Sequence, residues 1–159
     1  MGSVYAAFFA QAGNEVWVLD VDDAHIRAIA RNGLRIEGFS GNRVVHGINA
    51  VTTPERVGPS DLVVIATKAA DVGAAASIVA PLLRRDTTVL TIQNGLGAGE
   101  RIARYLPSDR ILIGVAEAFG ASVRGPGVVH HNSMKMIRLG EFTGGDSDRL
   151  RKVASMWQA

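Results

Sequence analysis

The amino-acid sequence predicts an α/β fold organised around a mainly parallel, doubly wound sheet. Apolar runs of strand length alternate with helix-patterned segments on the period of βαβ units, among them EVWVL at 15–19, DLVVIAT at 61–67 and the stretch TTVLTIQNGLGAG at 87–99. Polar residues follow these runs: Asp20, Lys68 and Asn94 stand at C-terminal strand ends, where open α/β sheets collect their ligands. With 47% hydrophobic and 20% charged residues over 159 positions, the chain suits one domain with a real core rather than a disordered segment.

Taken in order, residues 2–12 (GSVYAAFFAQA) have helical periodicity. Val4, Ala7, Phe8 and Ala12 share one face, and Gly13 stands where a left-handed cap is expected. EVWVL then reads as a buried strand closed by Asp20. Asp22 and Asp23 are good starters for the helix AHIRAIARN, which Gly33 ends. Residues 34–53 carry shorter apolar pieces (LRIEG, RVVHG, INAVT) around Gly41-Asn42 and read as small strands or hairpins. After Pro54 and Pro59, DLVVIAT reads as a buried strand with Lys68 at its end, followed by a helix over 69–85 that is apolar on nearly every face. The apolar run Val89, Leu90 and Ile92 marks the next buried strand, and a helix opens at Leu96-Gly97-Ala98-Gly99 into ERIARYLP. Residues 110–119 and 128–139 read as strands around the tight turn Gly125-Pro126-Gly127. A last helix starts at Asp146 and is still running at Ala159.

The totals exclude several classes of function. The net charge is +2, and the densest basic groups, Arg84-Arg85 and Arg149/Arg151/Lys152, are too sparse for a nucleic-acid footprint. The chain has no cysteine, which removes disulfides and thiolate metal sites and fits a reducing cytoplasm. Apolar runs of strand size give no membrane span, and nothing after Met1 has the form of a signal peptide.

The stretch 87–99 organises the rest. A strand ends in Gln93-Asn94-Gly95, and glycines lead into a helix start. Glycines let a backbone approach a ligand closely, and helix-start N–H groups favour anions. The same glycines are equally explained as the geometry of a strand-to-helix turn. Spacing alone does not separate the two.

The chain opens on a helix with no strand before it. In a Rossmann unit the first strand is central, and G-x-G-x-x-G joins it to the first helix. Gly2 sits where the last glycine of that fingerprint belongs, and Asp20 follows 18 residues later, close to the spacing of a ribose-binding carboxylate. The expectation is that Met1 is an internal methionine of this loop and that the first strand lies upstream. Without that strand its two neighbours would stand about two strand spacings apart, roughly 10 Å, too far to hydrogen-bond. Such unpaired edges invite other chains and predict poor stability in isolation.

On these residues the chain resembles the N-terminal domain of ketopantoate reductases (2-dehydropantoate 2-reductases). The likeness runs through the truncated fingerprint, DLVVIATKAADV, TVLTIQNGLGAGERI, GASVRGPGVVHHN and IRLGE. It implies a Rossmann-like sheet lacking its first strand. An incomplete NAD(P)-binding domain would span residues 1–145, and residues 146–159 would form a helix leading toward a helical substrate and dimerisation domain outside the chain. The implied reaction is reduction of 2-oxopantoate to (R)-pantoate, in pantothenate and coenzyme A biosynthesis, with NADP(H) as cofactor. Met1, Gly2 and Ser3 match the end of the pyrophosphate loop. Lys68 and Asn94 match the lysine and asparagine of the nicotinamide site, where the asparagine also touches substrate. Ala121 matches a position whose backbone contacts the cofactor. The general-acid lysine of the family would lie in the second domain, so this chain alone would be inactive.

Elementary chemistry supports some of these roles. An ammonium at the end of an apolar strand is expensive unless it faces a cleft or phosphate, although a snorkelling lysine is the plain alternative for Lys68. Asn94 offers both a donor and an acceptor, and it is also a common turn residue before glycine. Asp20 departs from the NADP pattern: a carboxylate there accepts from ribose hydroxyls and repels a 2′-phosphate, which suggests NAD(H), unless Arg27 or Arg31 compensates. Adjacent His130 and His131 point to opposite strand faces, so no shared metal site is expected. Glu117 reads as a site carboxylate or a paired structural one, and Trp17 and Trp157 as core or interface residues. Two alternatives stand beside the reductase: an NAD-dependent D-2-hydroxyacid dehydrogenase of the same family, favoured by Asp20, and a non-catalytic dinucleotide-binding module. The expected partners are a small 2-oxoacid and a second copy of the chain, with no nucleic acid and no membrane.

Overall fold

The computed structural model describes residues 1–158. In chain order the elements are α1 (Gly2–Gln11), β1 (Trp17–Leu19), α2 (Asp23–Asn32), β2 (Leu34–Gly38), β3 (Arg43–Val45), β4 (Asn49–Val51), β5 (Ser60–Ile65), α3 (Val72–Val79), β6 (Leu83–Thr91), α4 (Ala98–Ile102), β7 (Ile111–Glu117), β8 (Gly120–Gly125), β9 (Val128–Ser133), β10 (Met136–Glu141) and α5 (Asp148–Met156). They form two compact units, Met1–Val57 with Ala118–Lys135, and Gly58–Glu117 with Met136–Ala159.

In the first unit β1 pairs in parallel with β4, and a mixed four-stranded sheet runs β3-β2-β9-β8, with β2 and β9 parallel and two antiparallel hairpins at its edges. Its core gathers Val4, Ala7, Ile29, Leu34, Ile36, Val45, Ile48 and Val129. Helix α1 lies where the periodicity places it, but it is buried on more than one face. Val4, Tyr5, Ala6, Ala7 and Phe9 are all inside, while Phe8 is half-buried and Ala12 exposed. The buried strand expected over 15–19 shrinks to the three half-buried residues of β1, which has β4 as its ladder partner on one side only among the described residues. Helix α2 starts as expected, with the Asp22 carboxylate accepting from the His25 N–H at 3.0 Å. The Gly125-Pro126-Gly127 turn joins β8 to β9, and β8 is a strand that the apolar pattern of residues 120–125 does not announce.

The second unit holds a four-stranded sheet, β10-β7-β6-β5, in which β5, β6 and β7 are parallel and β10 is antiparallel to β7. Leu90, Leu112 and Val153 are the centre of one face, packed with Leu62, Val64, Leu139, Leu150 and Trp157. Several boundaries differ from the sequence expectation. The helix expected over 69–85 is α3 with a short 3-10 turn at either end. Pro81, which cannot donate in a helical ladder, lies in the second turn, and Leu83 is already extended, so β6 begins there and is nine residues long. Strand β5 ends at Ile65 rather than Thr67, and its buried residues alternate, Val63 and Ile65 being inside. Helix α4 stops at Ile102, and residues 103–105 turn before Pro107, so it is shorter than the helix expected through ERIARYLP. The single strand expected over 128–139 is two strands, because β9 pairs with β2 and β8 whereas β10 pairs with β7. The last helix begins at Asp148 behind a Ser147 cap and ends at Met156. The helix expected to run on toward Ala159 instead gives way to a turn at Trp157 and Gln158, where the Trp157 N–H closes back on the Ala154 carbonyl, and Ala159 lies outside the described residues.

Two polar anchors stiffen these units. Glu141, with its side chain 5% exposed, meets Arg149 in a two-pronged pair, and Ser147 donates to the same carboxylate. Arg149 also donates to the Asp109 carbonyl, so one guanidinium ties α5 to β10 and to the turn before β7. The Arg149 hydrogen bonds hold the Glu141 carboxyl below the usual carboxylate range, against the opposing effect of burial. In the first unit His131 is fully buried, its Nδ1 is 2.9 Å from Ser40 Oγ, and its ring sits among Phe8, Phe39 and Phe119 at centroid distances of 5.0–5.7 Å. Burial lowers its pKa, nearby Arg43 and His130 add to the depression, and donation from the imidazolium toward the Ser133 backbone opposes it.

Replacing Arg149 by Ala leaves a buried carboxylate without its partner and should cost about 3 kcal/mol in urea unfolding, with Arg149→Lys recovering part of it. Because the unfolded chain protonates His131 near its ordinary pKa and the folded chain resists, the contribution of His131 is complete above about pH 6.5 and falls away as pH drops below that. His131→Phe should therefore flatten the acid limb of a Tm-against-pH curve, and an unchanged slope would contradict it.

Candidate functional site

In the second unit, β5 and β6 run parallel as far as the register pair Ile65↔Thr91 and then part. Beyond Ile65 the chain passes through Ala66 and Thr67 to Lys68, which is exposed and whose carbonyl accepts from the Asp71 N–H at 3.0 Å, starting the 3-10 turn before α3. Beyond Thr91 it passes through Ile92 and Gln93 to Asn94, also exposed. Lys68 and Asn94 thus follow the C-terminal ends of adjacent parallel strands, the edge at which open α/β sheets bind ligands. The glycines after Asn94 have local reasons of their own. Gly97 is left-handed at φ +83° before α4, and a Cβ on Gly99 would fall 2.5 Å from the Phe142 ring. Turn geometry and close packing account for both without a ligand.

Gln93 carries a signal that sequence reading missed. Its Nε2 donates to the Ile65 carbonyl at 2.6 Å, and its Oε1 accepts from Thr91 Oγ1. The available clue was a threonine at an inward position, Thr91, two residues before an amide side chain. Glu117, at the end of β7, pairs with Arg138 at 3.4 Å, in keeping with the structural alternative for this carboxylate.

In the first unit, Met1 precedes α1 and its carbonyl accepts from Val4 and Tyr5. Gly2 and Ser3 open the helix. The first turn of α1 holds no acidic residue, so the positive end of the helix is not neutralised by its own side chains. Ser3 Oγ is 3.3 Å from His25 Nε2, while His25 Nδ1 accepts from the Gly127 N–H at 3.1 Å. That acceptor role places the ring proton on Nε2, facing Ser3. His25 is 4% exposed and was not singled out in sequence, because a histidine on the inward face of a helix carries no local signature.

Asp20 is exposed just past β1, and its Oδ1 accepts from the Asp22 N–H at 3.0 Å. Arg27 pairs with Asp23 one helical turn away on the exposed face of α2. Ala121 lies on β8 opposite His131, its side chain packed against the core of the unit. Of the two tryptophans, Trp17 Nε1 donates to Glu15 at an exposed position, and Trp157 packs on the second unit's core. The described residues contain no cluster of three or more His, Asp or Glu placed to hold a metal, and no helix among them is long and apolar enough to cross a membrane.

Met1, Gly2, Ser3, Asp20 and Ala121 therefore lie in the first unit, and Lys68 and Asn94 in the second. A family model described as ketopantoate reductase PanE/ApbA matches residues 1–144. The 2-dehydropantoate 2-reductase of Nostoc sp. is 30% identical over 163 aligned positions, covering 99% of this chain and 50% of the relative. The crystal structure of 2-dehydropantoate 2-reductase from Geobacter metallireducens superposes with a TM-score of 0.91 at 33% identity, covering 99% of this chain and 51% of that one. A ternary structure of D-mandelate dehydrogenase with NADH and anilino(oxo)acetate superposes with a TM-score of 0.89 at 26% identity, covering 99% of this chain and 50% of that one. The chain spans about half the length of the curated relatives it matches. With the parallel β5-β6-β7 ladder and the match over residues 1–144, the chain belongs to the ketopantoate reductase PanE/ApbA family.

Proposed function

We propose that this chain is the cofactor-binding part of an enzyme that reduces 2-oxopantoate to (R)-pantoate with a nicotinamide dinucleotide. The observation that carries the reading is the placement of Lys68 and Asn94 just past the C-terminal ends of two adjacent parallel strands, in a chain of this family. Each unit separately carries groups that suit part of a dinucleotide. In the second, an exposed ammonium and an exposed amide suit the nicotinamide half and the substrate oxygen; in the first, a helix start free of acidic residues suits a pyrophosphate, and the Asp20 carboxylate suits ribose hydroxyls. When bound, the dinucleotide supplies the hydride. Asn94 orients the substrate oxygen by hydrogen bonding, and Lys68 places a positive charge beside the forming alkoxide. The proton for that alkoxide comes, on this reading, from a lysine outside the residues of this chain, and the whole enzyme is a homodimer.

The second reading, an NAD-dependent D-2-hydroxyacid dehydrogenase, draws support from Asp20 and from the likeness to D-mandelate dehydrogenase solved with NADH. Turnover of the intact protein with 2-oxopantoate against bulkier aryl 2-oxoacids separates the two. Tight dinucleotide binding without turnover of either would mark a non-catalytic module.

In the intact protein Asn94→Ala should lower kcat/KM by about a hundredfold, the scale of losing one transition-state hydrogen bond in a site of this kind. An unchanged kcat/KM removes Asn94 from the site. NADH should bind at least as well as NADPH, and Asp20→Arg should shift the NADPH-to-NADH preference by about tenfold toward NADPH. A wild-type preference strongly for NADPH overturns the role given to Asp20.

A further inference from the structure

Ile65 and Thr91 are the last register pair of the β5–β6 ladder. Beyond this pair the strands part, and the Gln93 side-chain amide reaches from the end of one to the end of the other, donating to the Ile65 carbonyl at 2.6 Å. The same amide accepts from Thr91 Oγ1 through its oxygen. Thr91 is 1% exposed, so its hydroxyl needs a partner inside the protein. A carboxylate cannot donate to the carbonyl and an ammonium cannot accept from the hydroxyl, whereas a neutral amide does both. The two partners also settle which end of the amide is nitrogen.

This one side chain therefore bridges two diverging strand ends. Asn94 follows Gln93 directly, and Lys68 lies three residues past Ile65. We infer that Gln93 is a positioning residue, whose amide holds the Lys68 and Asn94 loops in register with each other after the backbone ladder has ended. The inference rests on the proposed dinucleotide-dependent function and adds to it the group that sets the spacing of the two site residues. Gln93 itself touches neither substrate nor cofactor in this account. Its effect passes through Lys68 and Asn94, so it should alter recognition of the nicotinamide half and leave the adenosine half alone.

The test is a calorimetric titration of the intact protein with oxidised NAD or NADP, whichever it binds, and with the matching ADP-ribose or its 2′-phosphate, which lack nicotinamide. Gln93→Leu should weaken the dinucleotide about tenfold, the scale of one to two lost hydrogen bonds, and leave ADP-ribose affinity within about twofold of wild type. Gln93→Glu adds a readout that general destabilisation does not produce. Ionised, the glutamate sets a carboxylate against the Ile65 carbonyl. Protonated, it donates as the amide does.

Its deficit relative to wild type at the same pH should therefore be large at about pH 8 and shrink as the pH falls through the glutamate range, about 4.3. Dinucleotide affinity unchanged in Gln93→Leu overturns the inference, as does equal weakening of dinucleotide and ADP-ribose. Should Gln93→Leu fail to fold, a Gln93→Glu deficit that does not change with pH overturns it. A wild-type protein that binds neither dinucleotide defeats the functional reading first, and the inference falls with it.

Discussion

Residues 87–91 are buried in succession, and a strand without an exposed face must pair its backbone on both sides. The second unit depends on this constraint. With β5 on one side and β7 on the other, β6 has its peptide groups satisfied only where both neighbours run beside it. Leu90 and Leu112 then face α5, and Ser60 and Thr87 close the start of the β5–β6 pair through a side-chain-to-backbone bond of 2.5 Å. At the other end the ladder stops at Thr91, where the strands part and the polar residues Lys68 and Asn94 follow. Burial on both faces and the opening at the strand ends are two consequences of one arrangement, since parallel strands can separate only where their pairing has ended.

The first unit relies less on a single ladder and more on helix α1, which is inside on several faces and packs its alanines and valine against β2 and β9. Two buried histidines serve it differently. His25 links α2, the start of α1 and the turn before β9 through both ring nitrogens, whereas His131 fills an aromatic cluster and keeps one hydroxyl partner. Both depend on imidazole being small, flat and polar at its edges. A larger aliphatic residue would satisfy the packing and lose the bonds.

The candidate site was legible in proportion to how local its signals are. Lys68 and Asn94 could be singled out as candidates because each follows an apolar run, and Asp20 because it closes one. The roles of Gln93 and His25 were not legible, since their partners are 28 and 102 residues away. No window of sequence contains both ends of such a bond. The same distance explains the boundary errors. Whether residues 83–86 continue a helix or begin a strand is decided by Ser60 and its neighbours, and whether 128–139 is one strand or two is decided by β2 and β7.

The sequence by itself determined the α/β class, the helix starts at Asp22 and Gly2, the Gly125-Pro126-Gly127 turn and the polar residues that end apolar runs. Capping, turn chemistry and hydrophobic period act over a few residues and leave their mark in the residues themselves. Only the tertiary structure decided which strands pair and where β5 and β6 separate. It alone assigned Arg149 to the buried Glu141 and let one glutamine amide bridge two chain segments. Those outcomes depend on burial, because a polar group removed from water must take whatever partner the fold brings to it, and the distance to that partner along the chain leaves no local trace.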